Sequence, residues 1–337
     1  MPLTTTAPTT GSKPNRRFCV APMLDWTDRH CRFFLRLISQ HAVLYTEMLT
    51  TGAILHGDTE RFLAMNAEEH PVALQLGGSN PCDLAAACKL AEKYAYAEIN
   101  LNCGCPSDRV QSGMFGAVMM KNAAITADCV ASMREAVDLP VTVKHRIGVD
   151  DYDSYDFLCQ FVGTLSEAGC NTFVVHARKA WLKGLSPKQN REVPELNYDR
   201  VYQLKRDFPD AEIIINGGIT TLEQSIEHLN HLDGVMMGRE AYTNPYILAT
   251  VDQDIYGANH PVKSREKIAE QFLDYIDNEM SKGTKLHAMT RHILGLFHGM
   301  PGARLFRRHI SENAYKPTAT IDVLTTALKA TSGAMNK

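Results

Sequence analysis

Apolar residues fall in short runs that recur along residues 17–239, separated by longer stretches in which apolar positions repeat at i, i+3 and i+4. The runs are RFCVAPM (17–23), VLYTEM (43–48), PVALQLGG (71–78), AEINLNCG (97–104), PVTVKHRIG (140–148), TFVVHAR (172–178), EIIINGGI (212–219) and GVMMGR (234–239). Their β-branched content and near-continuous hydrophobicity suit strands buried on both faces, whereas stretches such as PCDLAAACKLAEKY and TADCVASMREAV have the spacing of amphipathic helices. Eight strands alternating with helices predict a (β/α)8 TIM barrel. A doubly wound sheet shares the alternation, but no GxGxxG follows the first strand. Beyond Tyr256 the strand signal ends. REKIAEQFLDYIDNEMSK, KLHAMTRHILGLFHGM, GARLFRRHISENAY and IDVLTTALKAT each predict a helix, punctuated by Pro301-Gly302 and Lys316-Pro317. The expected organisation is a disordered tail over 1–15, a barrel over 16–256 and a smaller C-terminal all-helical domain over 257–337.

Composition narrows this picture only a little. The chain has 337 residues, 45% hydrophobic and 22% charged, with a formal net charge of −3. A protein coated in basic surface is excluded, so any positive patch for a nucleic acid must be local. No apolar run approaches the roughly 20 residues of a membrane helix. The opening MPLTTTAPTTGSKPNRR lacks the apolar core of a secretory signal. Nine cysteines, an odd number, include no CxxC pair, which argues against a disulfide framework or a zinc site. Cys19, Cys31, Cys88, Cys129 and Cys159 are expected to be small buried hydrophobes in a protein of the reducing cytoplasm. No membrane and no metal are expected, and the chain is expected to act as a monomer.

In such a barrel the chemistry sits at the C-terminal ends of the strands and in the loops that follow. The strand ends here carry Pro22-Met23-Leu24, Gln75, Asn102-Cys103-Gly104-Cys105, Lys144 with Arg146, His176 with Arg178, Asn216-Gly217-Gly218 and Gly238-Arg239. Strands seven and eight commonly supply a phosphate pocket. Gly217 and Gly218 would let the backbone approach an anion, a helix starting near Thr221 would aim free N–H groups at it, and Arg239 would grip it. The glycines could equally make only a tight turn. A lysine inside an apolar strand needs an anion or an electron-rich ring, and His176 on the next strand could donate to the same ring. A phosphate site above a cationic floor suits flavin mononucleotide. Lys144 would stabilise the charge that develops near N1 and the C2 oxygen on reduction, Gln75 would hold the pyrimidine edge, and Pro22–Leu24 would lie against the ring.

A reduced flavin delivers hydride to one carbon of an activated double bond, and the neighbouring carbon then needs a proton. A thiol with a reference pKa of roughly 8.5 is mostly protonated at neutral pH and can supply it. Cys105 follows the strand in Gly-Cys-Pro-Ser, where Gly104 is expected to permit a sharp turn and Pro106 to stiffen the loop. Cys103, nearer the barrel wall, is expected to be structural. Asn102 can both donate and accept, which suits the imide edge of a substrate.

These motifs resemble the tRNA-dihydrouridine synthases, within them the A-type subfamily. The resemblance rests on APML, LNCGCPSDRVQSGMFGA, VKHRIG, VVHARKAWLKGLSPKQNREVPEL, INGGI, MMGREAYTNPY and LGLFHGMPGARLFRRHIS, which span about residues 16 to 315. It implies NADPH-driven, FMN-dependent reduction of uridine to 5,6-dihydrouridine in the tRNA D-loop, at positions 20 and 20a. By this resemblance Pro22, Met23, Leu24, Gln75, Lys144, His176, Asn216, Gly217, Gly218, Gly238 and Arg239 bind FMN. Cys105 becomes the proton donor to uracil C5, Asn102 contacts the target nucleotide, and Lys188, Arg191, Arg304 and Arg307 contact tRNA. The residues themselves agree: between Arg178 and Arg191 there are five basic residues and no acidic one, and Arg304, Arg307 and Arg308 share a helix face. Two other readings remain open from the residues alone. A flavin barrel reductase on a free pyrimidine needs neither the helical appendage nor the basic loop. A non-catalytic tRNA-binding protein leaves Lys144, His176 and Cys105 without a task.

Overall fold

The computed structural model describes residues 13–107, 110–111 and 113–335. The expected disordered tail therefore lies outside the described residues except for 13–15. Eight parallel strands close into a barrel in sequence order: β1 (Phe18–Val20), β2 (Val43–Thr50), β3 (Val72–Gly77), β4 (Glu98–Cys103), β5 (Val141–Arg146), β6 (Thr172–His176), β7 (Glu212–Asn216) and β8 (Gly234–Met237). Closure is set by β1, in which Cys19 pairs with Val43 of β2 on one side and Met236 of β8 on the other. Each strand overlaps a predicted run, and the interposed helices begin where capping residues stand. Asn80 Oδ1 accepts from the Cys82 and Asp83 N–H groups ahead of helix Pro81–Ala91, and Ser154 accepts from Phe157 N ahead of Tyr155–Glu167.

Alternate residues of each strand point into the barrel, and its interior is divided. One part is apolar: Cys19, Ala21, Val43, Tyr45, Ala73, Val174, Ile214 and Met236 form a single buried cluster. The other part is polar. Glu98, Asn100 and Asn102 succeed one another along the inner face of β4, with Gln75 beside them on β3 and Thr142 on β5. Glu98 is fully buried, and its carboxylate accepts from Arg16 Nε at 2.5 Å and from the Tyr45 hydroxyl at 2.7 Å. Arg16 also reaches Glu212 at 2.8 Å. Burial alone would depress the guanidinium pKa, but Glu98 and Glu212 together hold it above its ordinary value.

The chain divides into two compact units, one of residues up to Leu24 with Val43–Gly238, the other of Asp25–Ala42 with Arg239 onward. The division thus falls ahead of residue 256, and the helix Arg29–Ile38, which strand–helix alternation assigns to the barrel, groups with the C-terminal helices. Its side chains explain why. Phe34 packs against Phe272, Phe33 stacks on Tyr275 with ring centroids 3.9 Å apart, and Arg29 pairs with Glu279 at 2.5 Å. Asp28 caps this helix through Cys31 N and also binds Arg291 and His292. Beyond the helix Arg265–Ser281, the segment 285–300, expected to be one helix, is helical only over Leu286–Thr290. From there the backbone runs in successive tight turns, with His292, Leu296, His298 and Met300 each donating to the carbonyl three residues back. Gly295 and Gly299 weaken helix propensity by about 1 kcal/mol each, and the α-helix stops short of them. Helices Ala303–Asn313 and Asp322–Met335 complete this unit. Among the described residues no helix is long and apolar enough to cross a membrane.

Replacing Arg16 by methionine leaves the Glu98 carboxylate buried without its cation. We expect a loss of about 3–5 kcal/mol in unfolding free energy, read by urea denaturation.

Candidate active site

At the C-terminal end of β4 the chain turns back on the Asn102 side chain. Asn102 Oδ1 accepts from the backbone N–H groups of Gly104 (3.1 Å) and Cys105 (3.0 Å), an Asx turn that presents Cys105 at the barrel mouth. The Cys105 carbonyl is held in turn by Ala117 N at 2.9 Å. The glycine this turn depends on is Gly116. It sits at φ +76°, and a Cβ there would stand 2.6 Å from the Cys105 oxygen. Gly104, expected to supply the turn, has no such constraint, since an added Cβ would meet nothing closer than 3.5 Å. Those nearest atoms belong to the Lys144–His145 backbone, so the Cys105 turn rests on the end of β5. Cys105 is half-buried, with Sγ 3.7 Å from Ser107 Oγ, while Cys103 is completely buried and its thiol pKa is driven well up by that burial. Among the other cysteines Cys19, Cys31, Cys88 and Cys129 are buried as expected, but Cys159 is only half-buried. Asp108, Arg109 and Ser112 of this motif lie outside the described residues.

Beside this turn stand two polar groups with incomplete partners. Lys144 Nζ donates to Asn216 Oδ1 at 3.0 Å, and Asn216 is oriented by its own bond to Met236 O at 2.8 Å. Burial, helped by the charge of Arg146, lowers the Lys144 pKa to about 7, and a thiolate at Cys105 would raise it. His176 is 8% exposed, and its imidazole makes no hydrogen bond among the described residues. Burial first, then the charges of Arg146, Lys144, Arg178 and Arg191, keep it neutral at physiological pH. Gly217, at φ +113°, lets the chain after β7 press onto that ring, for a Cβ there would lie 2.5 Å from His176 Cδ2. A lysine with one protein partner and a neutral buried imidazole therefore stand at the ends of the neighbouring strands β5 and β6, and each can still donate to an electron-rich group.

Not every expected group is as available as the sequence suggested. Asn102 was expected to both donate and accept toward a substrate, but its oxygen caps the Cys105 turn and one Nδ2 hydrogen goes to Gln75 at 2.9 Å. Its remaining Nδ2 hydrogen can only donate. Gln75, also expected to meet a ligand, donates to Asn100 at 2.7 Å as well, and only 1% of it is exposed. Thr221 does cap the helix Leu222–His228, but Gln224 Oε1 already accepts from Thr220 N and Thr221 N. Free donors toward an anion therefore have to come from elsewhere in the Gly217–Gly218 segment. Pro22 and Met23 are half-buried, whereas Leu24 is 68% exposed. Gly238 ends the barrel unit, and Arg239 opens the next helix, Arg239–Thr243.

The structure also gives a task to Arg146, which the sequence named at a strand end without one, and to residues that sequence reasoning passed over. Arg146 is 4% exposed and meets no carboxylate among the described residues. Its guanidinium instead donates to Gly104 O (2.9 Å), Lys179 O (3.0 Å) and Asn190 O (2.9 Å). Gln111 Nε2 similarly bridges Pro106 O and Leu182 O, and buried Asn190 ties down Trp181 through both its backbone groups. The Cys105 turn and the 178–191 loop are thus fastened to each other. Within that loop Lys188 and Arg191 are exposed on either side of buried Asn190. In the helical unit Arg304, Arg307 and Arg308 are exposed while Ala303, Phe306 and Ile310 are buried, as their spacing implied. Also there, the donor atoms of His41, Asp252 and His260 lie within 4.8 Å of one another, but the Asp252 carboxylate already accepts from Ser39 Oγ and the Gln40 and His41 amides.

Solved structures place this architecture among (β/α)8 barrels. A 2-naphthoyl-CoA reductase complex superposes with a TM-score of 0.55 at 10% identity, covering 70% of this chain and 50% of its own. An old yellow enzyme homologue from Zymomonas mobilis superposes at 0.51 and 11% identity, covering 75% and 92%. Sequence comparison is more specific. Residues 19–332 match the family described as dihydrouridine synthase (Dus). The tRNA-dihydrouridine(20/20a) synthase of Vibrio cholerae serotype O1 is 62% identical over 313 residues, covering 93% of this chain and 95% of that protein. The protein of the same name from Escherichia coli K12 is 62% identical over 314 residues, covering 93% and 91%. The chain belongs to the dihydrouridine synthase family.

Because the folded Lys144 sheds its proton near pH 7 and the unfolded chain near the ordinary lysine value, only the unfolded state holds that proton between them. Stability of the ligand-free protein should therefore rise with pH through this window. Lys144→Met should flatten the rise, as measured by melting temperature across pH 7 to 10.

Proposed function

We propose that this protein reduces uridine to 5,6-dihydrouridine in the D-loop of tRNA, at positions 20 and 20a, with FMN as resident cofactor and NADPH as reductant. The observation that carries the reading is the half-exposed Cys105 thiol, held on the end of β5 beside a lysine and a histidine that lack full partners. The name borne by relatives at 62% identity, with nearly full-length coverage, supports the substrate.

The residues at the mouth fit a flavin. Lys144 and His176 would donate to the electron-rich N1–C2 carbonyl edge of its ring, whose negative charge would favour the ammonium form of the lysine. The remaining Nε2 hydrogen of Gln75 would meet the pyrimidine edge, and Pro22, Met23 and Leu24 would line the ring. Asn216 orients Lys144, while the backbone of Gly217, Gly218 and Gly238 with the Arg239 guanidinium holds the phosphate. A flavin bound there would supply the hydride for uracil C6 from its N5. Cys105 Sγ–H then gives its proton to C5, so that hydride and proton together saturate the 5,6 double bond. Asn102 donates its free Nδ2 hydrogen to a uracil carbonyl oxygen.

A uracil in a folded tRNA must leave its stack to reach this thiol, so backbone contacts select the substrate. Lys188 and Arg191 on the loop fastened to the Cys105 turn, and Arg304 and Arg307 on their helix, serve those contacts. The enzyme works in the cytoplasm as a monomer.

Cys105→Ala should keep flavin and tRNA binding yet lose turnover by about 10² to 10⁴-fold, measured as dihydrouridine formed per enzyme. Yield at the wild-type level would end the assignment. Arg304→Ala with Arg307→Ala should weaken tRNA binding and lower the slope of log K against log salt by about 2, tested by filter binding across a salt series.

A further inference from the structure

An unbroken run of hydrogen bonds joins the buried Glu98 to the Cys105 turn, and chemistry at its two ends sets the direction of every donor between them. A carboxylate paired with a guanidinium is an acceptor only, so Thr142 Oγ1, 3.0 Å from Glu98 Oε1, must donate to it. With its single hydrogen committed, Thr142 can only accept from Asn100, whose Nδ2 lies 2.8 Å away. That turns Asn100 Oδ1 toward Gln75, which donates Nε2 at 2.7 Å. Gln75 Oε1 then faces Asn102 and accepts its Nδ2 at 2.9 Å. Asn102 is left with its oxygen toward the Gly104 and Cys105 amides. The far end agrees independently, because a backbone N–H can only donate. Were any amide in this ladder reversed, two donors or two acceptors would face each other in a buried site.

We propose that Glu98, Thr142 and Asn100 are positioning residues for the Cys105 thiol, acting through Gln75 and Asn102 to hold the Cys105 turn in its working conformation. The inference rests on Cys105 being the proton donor. All three residues are fully buried in the barrel interior, so they act without touching tRNA. The alternation Glu98, Asn100, Asn102 along β4 therefore serves as one device, anchored by a charge at one end and delivering a backbone conformation at the other. Glu98 makes that device directional: an uncharged carboxamide there could donate to Thr142 and let the whole ladder run backwards, presenting the Asn102 NH2 to the Cys105 N–H.

The test compares Thr142→Val, which removes the one hydroxyl between Glu98 and the amides of the ladder, with Thr142→Ser, which keeps it. Flavin-loaded enzyme reduced with dithionite is mixed with unmodified tRNA transcript, and its reoxidation is followed in a single turnover. In parallel, iodoacetamide alkylation of the Cys105 peptide is timed by mass spectrometry. We expect Thr142→Val to slow reoxidation about tenfold and to alter the alkylation rate, with flavin content and tRNA Kd within about twofold of wild type. Thr142→Ser should restore both rates. A Thr142→Val enzyme at the wild-type rate, or a Thr142→Ser enzyme no better than the valine variant, would overturn the proposal. Should Thr142→Val fail to fold, Glu98→Gln takes its place, with the same slowing expected and a wild-type rate overturning the idea. If Cys105→Ala retained full turnover, the proton-donor reading would fall on that result alone, whereas the alkylation difference would still decide whether the ladder positions the turn.

Discussion

A carboxylate with no exposed surface sits inside a parallel barrel, and the polar half of that barrel is arranged around supplying it with donors. Glu98 has Arg16, Tyr45 and Thr142 as donors. These bonds offset the desolvation cost of burying the carboxylate. Because the carboxylate can only accept, the amides above it inherit a single orientation, and the last of them shapes the backbone at Cys105. Stability and chemistry meet in one strand: the same inner face of β4 that carries the buried ion pair also ends in the thiol-bearing turn.

The division of the barrel interior follows from this. The apolar cluster from β1, β2, β6, β7 and β8, with Ala73 of β3, supplies the close packing that a parallel barrel requires. The polar side needs every donor and acceptor matched, because a half-satisfied network is costlier than hydrocarbon. Lys144 and His176 at the mouth lack full partners, and among the described residues Arg16 Nη2, beside Glu98, has no partner either. Donors with capacity to spare at the C-terminal end of a barrel are what a ligand site requires. Arg146 extends the logic outward, since a guanidinium surrounded by carbonyls from both neighbouring loops makes the Cys105 turn and the basic 178–191 loop one mechanical piece.

Much of this was legible in the chain. Short, near-continuous apolar runs and period-3.6 stretches located the eight strands and their helices, because burial on both faces of a strand and on one face of a helix leaves different patterns. Strand-end residues Lys144, His176, Cys105 and Asn216 were identifiable because polar groups at the ends of apolar runs are costly without a task. The 285–300 segment was less legible: its apolar spacing suits a helix, yet glycines at 295 and 299 give tight turns instead. The helix Arg29–Ile38 was assigned to the barrel by order alone, while its phenylalanines pack among C-terminal helices far away in sequence.

What the sequence by itself determined is the repeat, the family to which its motifs belong and the residue types at the mouth, since those are set by local period and by identity at each position. Only the tertiary structure decided which atoms of those residues are free. Asn102 turned from a substrate clamp into a turn cap with one hydrogen to offer, and the glycine that shapes the turn moved from 104 to 116. The physical reason is that hydrogen-bond capacity is shared among neighbours brought together across strands, and no spacing along one chain records which partner takes the last donor.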